Sequence, residues 1–440
     1  MRLSGWGRFP VADCNVVRPR SESELAAAIA NAPAIPRGMG RAYGDSALNS
    51  HATISMAGFR HMLSFDAQNG VLVAEAGVTL GDVISVFLPR GWFPSVTPGT
   101  KFVTLGGAIA ADVHGKNHHK HGSFCAFVEW MDVVGSDGRV RRCSRQENAD
   151  LFAWTTGGMG LTGVILRAAV RLQRVESGWI RQRSIPAPNL AAAMQAFEEN
   201  ARSTYSVAWI DCLAKGDDLG RSILLLGEHA AAGELDSPRG AAPFSTPARR
   251  KMTTPFDAPS WALNQWSVRA FNALYWRRGS RAQRESLVDW DSYFYPLDSI
   301  HEWNRIYGKR GFAQFQCVLP LGSSRQGLEE LLKTISASGQ GSFLAVLKRM
   351  GPQHSRFSFP MEGYTLALDF PAHPKALALM ERLDAITLAH GGRFYLAKDS
   401  RMSRATFERS DARAAGFRAM RTDGGLDRAF TSLQSERLGL

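Results

Sequence analysis

The chain has 440 residues, 45% of them hydrophobic and 21% charged, a globular composition long enough for two or three domains, each with its own core. Its net charge of +12 attracts phosphates of every kind, whether in nucleic acid, a phosphorylated ligand or anionic lipid, and a solvated basic surface is the plain alternative. The five cysteines are scattered, odd in number and without a CxxC pair, which argues against a disulfide framework or zinc ribbon and for a reducing compartment.

The N-terminus has no apolar h-region, and no run approaches the ~18–20 apolar residues of a membrane span, so a cytoplasmic protein, or one peripheral on the cytoplasmic membrane, is expected. Ser21 and Glu24 form a capping box that predicts a helix through "SELAAAIANA". A short strand at "AIP" leads into "RGMGRAYGDS", Arg37 to Ser46, rich in glycine. "HMLSF" and "VLVAE" read as strands around the turn Gln68-Asn69-Gly70. "TLGDVISVFLPRG" reads as a helix capped by Thr79 and stopped at Gly91, and "FVEWMDVVGSDGRVRRCS" as a hairpin turning at Ser136-Asp137-Gly138. In the middle of the chain "NLAAAMQAFEEN" and "GLEELLKTISASG" are helical, beside strands "SVAWIDCLA" and "FAQFQCVLPL". Residues 231–258, rich in Pro, Ser, Gly and Arg, read as a mobile loop. After it Trp261, Trp266, Phe271, Tyr275 and Trp276 alternate with Arg269, Arg277, Arg278 and Arg281. A helix packed on the core with a basic edge is the expectation there, with an anionic membrane face or a lipid tail as the alternative.

Three motifs invite chemistry. "DVHGKNHHKHGS" holds His114, His118, His119 and His121. Zinc needs ligands that converge, adjacent histidines diverge, and no HExxH or cysteine lies near, so no metal site is expected. His118, His119 and His121 read as a polar surface loop, whereas His114 follows the buried-looking "AIAADV" and suits a ligand. "GGMGLTG" contains a formal GxGxxG at Gly158, Gly160 and Gly163, but a helix precedes it and a strand follows, the reverse of the nicotinamide fingerprint. The glycines of "RGMGRAYGDS", joined by "TPGT" and "TLGGAIAADVHG", expose backbone N–H groups that suit an extended dinucleotide.

Taken together, "RGMGRAYGDSALN", "TPGTKFVTLGGAIAADVHGKNHHKHGSF", "GGMGLTGVI", "EWNRIYG" and "FYLAKDSR" resemble the FAD-linked oxidases of the vanillyl-alcohol oxidase/p-cresol methylhydroxylase superfamily, over nearly the whole chain. Within it the resemblance is nearest to the branch that oxidises the 2′-OH of a polyprenylphosphoryl-β-D-ribose; sugar-lactone oxidases such as arabinono-lactone oxidase come next. The resemblance implies an α+β fold. An FAD-binding domain of two α+β subdomains would span 1–176, a substrate domain with a large antiparallel sheet flanked by helices 177–392, and a segment returning to the FAD domain 393–440. The cofactor would lie along Arg37, Gly38, Met39, Gly40, Arg41, Ala42 and Tyr43, along Pro98, Gly99, Thr100, Thr104, Gly106 and Gly107, and along Gly160 to Ile165. His114 and Gly115 would flank the isoalloxazine, and Ala110, Val113 and Tyr395 complete the cofactor contacts. The first glycine loop lacks the histidine that covalent members often carry there, so noncovalent FAD is expected.

By the same resemblance Lys398 and Tyr43 face the reacting sugar, with His114 beside them, and Lys116, Gln316, Lys348, Thr365 and Ala367 line the substrate pocket. Oxidising a secondary alcohol sends a hydride to flavin N5 and needs a base for the hydroxyl proton. Lys398 is that base if burial depresses its pKa, or a stabilising cation if it does not; a salt bridge to Asp399 or Asp369 is the structural alternative. Thr365 and Ala367 stand where the branch has Asn-x-Cys, which alters the pocket but not the flavin chemistry. The implied partners are a polyprenyl-phosphate-linked sugar, a short-chain reductase that completes the epimerisation, and a peripheral membrane contact. A soluble-sugar or aldonolactone oxidase is the alternative. No nucleic acid is expected, since no helix-turn-helix or RRM signature is present.

Overall fold

The computed structural model describes residues 1–259, 264–281, 285–342 and 344–440; Trp261 lies outside them. At the N-terminal end, helix Glu22–Asn31 begins where the Ser21 hydroxyl accepts the Glu24 amide at 3.2 Å. The helix buries Leu25, Ala28 and Ile29 in a small core shared with the three-stranded parallel sheet Val16–Val17, Ala52–Ser55 and Ala34–Arg37.

A second sheet is antiparallel, in the order Val140–Ser144, Val128–Val134, Val164–Arg174, Val71–Glu75 and Met62–Asp66, with Trp92–Pro94 pairing the far end of Val164–Arg174. Helices Leu80–Phe87 and Leu105–Ala110 fill its core with Leu80, Val83, Phe87, Leu105, Ala108 and Ile109. Each is capped by a threonine, Thr79 and Thr104, whose hydroxyl accepts the amide three residues on.

The third sheet is the large one. Eight strands run Glu285–Asp289, Trp179–Ala187, Ser222–His229, Tyr205–Ile210, Ala345–Met350, Gly363–Pro371, Phe312–Pro320 and Arg393–Phe394, every neighbouring pair antiparallel. Strand residues alternate between two faces. One set, including Leu224, Leu226, Phe315, Cys317, Leu366 and Leu368, packs on helices Leu190–Glu199, Leu321–Ser338 and Pro374–Ala389. The other set, including Trp209, Leu225, Gln314, Gln316, Lys348 and Asp369, faces a cavity. Mixed helices and an antiparallel sheet of this size make the chain an α+β protein.

The C-terminal helices fold back across the molecule. Phe430 is fully buried in the N-terminal core and its backbone bridges Ala34. Arg437 pairs with Asp45 and Asp399, both at 2.8 Å, and Gln434 donates to the Leu396 carbonyl at 2.8 Å.

One sequence expectation needs correction. Residues 231–258 are not a bare loop: Asp236 caps a short helix, Ser237–Gly240, and Met252–Thr253 pairs in parallel with Ile300–His301. The aromatic–arginine helix, Gln265–Gly279, packs on the core with a basic edge as expected, Val268 joining the core beneath the large sheet and Tyr275 lying on Trp209, but its seat is narrow. It buries only Val268 and Asn272, one turn apart, while Trp266 is 68% exposed and Leu274 50%. Among the described residues no helix is long and apolar enough to cross a membrane.

Candidate active site

A cavity of about 770 Å³ lies where loops of the first two sheets meet the inner face of the third. That lies within the range of ligand-binding cavities, about 300–1,000 Å³. One wall is mostly backbone. The turn leaving strand Ala34–Arg37 supplies Arg37, Gly38, Met39, Gly40, Arg41, Ala42 and Tyr43, and Pro98, Gly99, Thr100, Thr104, Gly106, Gly107, Ala110, Val113, Gly115, Gly160 and Ile165 continue it. Gly40 sits at φ +63, the left-handed region that favours glycine. A Cβ at Gly38 would lie 2.3 Å from the Thr104 hydroxyl, so the turn and the cap of helix Leu105–Ala110 touch only because Gly38 has no side chain.

This wall fits a flavin dinucleotide. Its small side chains leave peptide N–H groups free to meet phosphates. The Nε of Arg41 and the Nδ1 of His114 are buried without a partner. Arg41 is held between Trp6 and Phe102, its guanidinium 4.2 and 5.1 Å from their ring centroids. Buried donors of this kind are costly unless a ligand meets them.

The opposite wall is polar and cationic. His114 accepts the Gln316 amide at Nε2, 3.1 Å away, so its neutral ring carries the proton on Nδ1. Burial holds its pKa well below that of free imidazole, and Lys348, His118 and Lys398 push the same way. Tyr395 packs beside it, ring centroids 5.1 Å apart, and donates to the Ala111 carbonyl at 2.9 Å. Lys398 lies 3.6 Å over the Tyr43 ring. Its ammonium is pushed down by burial, with Asp369 opposing and Lys348 reinforcing. Asp369, buried, is pushed up; it accepts the Gln314 amide and the Tyr307 hydroxyl, the latter at 3.5 Å. Burial also raises the Tyr43 phenol well above its ordinary value, with Asp369 adding to the effect. Lys116 donates to the Tyr293 carbonyl and sits 4.1 Å over that ring; burial, aided by Lys348, brings it down to about 7. Burial alone brings Lys348 to about 8.

Among the described residues Lys398 forms no ion pair with Asp399 or Asp369; Asp399 is engaged by Arg437 at 2.8 Å. Gln316 and Ala367 line the cavity, whereas Thr365 stands behind it, its hydroxyl accepting Gln316 at 3.2 Å and donating to the Cys317 carbonyl at 2.8 Å. Gln314 and Trp209 also line the cavity and carried no separate signal in the sequence; Asp369, weighed there only as an ion-pair partner of Lys398, lines it too. Strand alternation around Gln316 is the clue that points to Gln314.

The surface reading of the histidine cluster is overturned. His118–His121 is a short helix, and His118 is buried. His118 meets Gln353 through Nε2 at 2.8 Å and accepts the Gly351 amide at Nδ1. Gln353 also donates to Asp112 at 2.9 Å, and Asp112 accepts Ser123 and the Cys125 amide. His119 donates to the Ser203 carbonyl at 2.8 Å. These residues clamp the backbone that presents His114.

A backbone cradle for a dinucleotide, facing a half-buried lysine and tyrosine and a buried carboxylate, defines a flavin-dependent oxidoreductase. The FAD binding domain family matches residues 15–144. The chain is 34% identical over 450 residues to decaprenylphosphoryl-β-D-ribose oxidase of Mycolicibacterium smegmatis, spanning 100% of this chain and 97% of that one. It is 32% identical over 375 residues to an uncharacterised protein of Streptomyces coelicolor from the mprA 5′ region, covering 82% of this chain and all of the other. Cytokinin dehydrogenase 5 of Arabidopsis thaliana is 38% identical over 105 residues, 23% of this chain and 19% of its own. The chain belongs to the family of FAD-linked oxidases that includes the decaprenylphosphoryl-β-D-ribose oxidase.

Proposed function

We propose that the protein oxidises the 2′-hydroxyl of a polyprenylphosphoryl-β-D-ribose to a ketone, the first half of an epimerisation that a short-chain reductase completes. Noncovalent FAD supplies the hydride acceptor at N5; the loop 37–46 carries no histidine or cysteine to bond it. The observation that supports the reading best is the gathering of Lys398, Tyr43, Lys116 and Lys348 around the cavity that the glycine cradle lines. Lys398, its pKa depressed by burial, takes the hydroxyl proton on Nζ. Asp369, on the neighbouring wall, compensates the charge that Lys398 then carries. Tyr43 lies under the lysine and fixes its position. Lys116 and Lys348 offer cations to an anionic group, and a bound phosphodiester favours their protonated forms. His114, kept neutral and held by Gln316, offers its Nδ1 proton as a hydrogen-bond donor.

The test is an anaerobic titration of the yellow holoprotein. A short-tailed polyprenylphosphoryl ribose should bleach the flavin absorbance, and aldonolactones should not. Bleaching by lactones alone would replace this reading with soluble-sugar oxidation. Acid precipitation should release the flavin into the supernatant; flavin that stays with the pellet would show a covalent bond.

A further inference from the structure

We infer that the helix Gln265–Gly279 seats the protein on an anionic lipid bilayer and admits the hydrocarbon tail of the substrate beneath itself, an inference that rests on the polyprenyl-phosphate reading above. Trp266, Ala270 and Leu274 recur every four residues and share one face of the helix, while Phe271 and Tyr275 lie on its flank towards the sheet. That face points outward: Trp266 is 68% exposed and Leu274 50%. Contiguous exposed apolar surface of this kind marks a contact with something apolar.

The charge around it selects the partner. Arg269, Arg277, Arg278 and Arg281 belong to the same segment, and residues 264–281 contain no acidic side chain. Arg277, Arg278 and Arg281 are exposed. Aromatic and aliphatic groups flanked by arginine match the interface of an anionic membrane, the apolar groups entering the acyl boundary and the guanidinium groups meeting headgroup phosphates.

The inner edge of the same helix lines the cavity. Phe271 and Tyr275 roof an arm whose floor is Val207, Trp209, Leu225 and Val346 of the large sheet. Tyr275 packs on Trp209, ring centroids 4.6 Å apart. This arm offers hydrocarbon and ring surface, which suits an isoprenoid chain, while the ribose and phosphate stay with the lysines. One helix thus faces the bilayer on its outer side and the lipid channel on its inner side.

Flotation of the full-length holoprotein with vesicles of phosphatidylcholine, with and without phosphatidylglycerol, tests this. The wild-type protein should float with the anionic vesicles and dissociate as salt rises. The double variants Trp266→Ser/Leu274→Ser and Arg277→Gln/Arg278→Gln lie outside the cavity, and each should cut anionic-vesicle binding about tenfold or more. Both should keep the wild-type melting temperature and the wild-type rate of flavin reduction by a short-tailed polyprenylphosphoryl ribose in solution. Wild-type protein that ignores anionic vesicles, or double variants that bind them undiminished, would overturn the inference. So would variants that change self-association in sedimentation while vesicle binding holds, since the face would then receive protein. If vesicle binding follows the helix but the ribose lipid fails to reduce the flavin, the docking face stands and the substrate reading falls.

Discussion

Asp369 and Lys398 reach the same cavity from different strands and loops, and each charge would be costly if buried alone. While Asp369 is ionised it favours the charged lysine, so replacing it with asparagine lets Lys398 shed its proton at lower pH. A lysine that acts as base works deprotonated. In Asp369→Asn the acid limb of the flavin-reduction rate should therefore move to lower pH, by about one unit. Stopped-flow reduction across pH reads this directly, and a limb that stays in place would make Asp369 a packing residue only. Labelling of Lys398 by an acylating reagent, followed by mass spectrometry on flavin-free protein, should show the same displacement. Lys398 and Tyr43 were legible because each sits in a distinctive local motif, "YLAKDSR" and "RAYGDS". Gln314 was not, and Asp369 was weighed only as an ion-pair partner of Lys398, because each is a polar residue in a largely apolar strand. Only the strand register, which sets Gln314 opposite Asp369, makes them a pair.

At the scale of elements, the glycine turn and the helix it touches act together. Gly38 abuts Thr104, and Thr104 caps helix Leu105–Ala110 by accepting the Gly107 amide at 3.2 Å. A valine at position 38 must displace that hydroxyl or bend the turn away. Gly38→Val should therefore lose about 1–2 kcal/mol of stability, as caps do, and bind FAD more weakly. A smaller thermal shift on adding FAD would register the second effect; an undiminished shift would mean that the turn does not hold the cofactor. Most elements were predictable, since capping residues and apolar periodicity act locally. The histidine cluster was misread because its partner is remote: Gln353 lies 235 residues beyond His118, and nothing in "HHKH" announces it. The aromatic–arginine helix does rest on the core through Val268, but the exposure of Trp266 and Leu274 was not foreseen, since a stripe of large apolar residues normally faces a core.

For the whole molecule, three lysines gathered in one cavity weigh against folding when no anionic ligand meets them. Lys348 has a folded-state pKa of about 8, against an ordinary 10.5. Between those values the unfolded chain binds more protons, so this lysine makes stability rise with pH from about 8 towards 10.5 and is most unfavourable below that window. Lys116 acts likewise from about 7. Lys348→Met should accordingly stabilise the flavin-free protein by about 1–3 kcal/mol at neutral pH, a rise of several degrees in melting temperature, with the gain shrinking as pH climbs. Calorimetry at two pH values would check it; a gain independent of pH would trace to packing rather than charge.

Arg437, near the far end of the chain, clasps Asp45 beside the first glycine turn and Asp399 beside Lys398. A nascent polypeptide still lacking that arginine on the ribosome leaves two sequestered carboxylates unanswered and the lysine loop untethered. A chain truncated before residue 437 should therefore purify with less bound flavin than the full-length protein, which its absorbance would show.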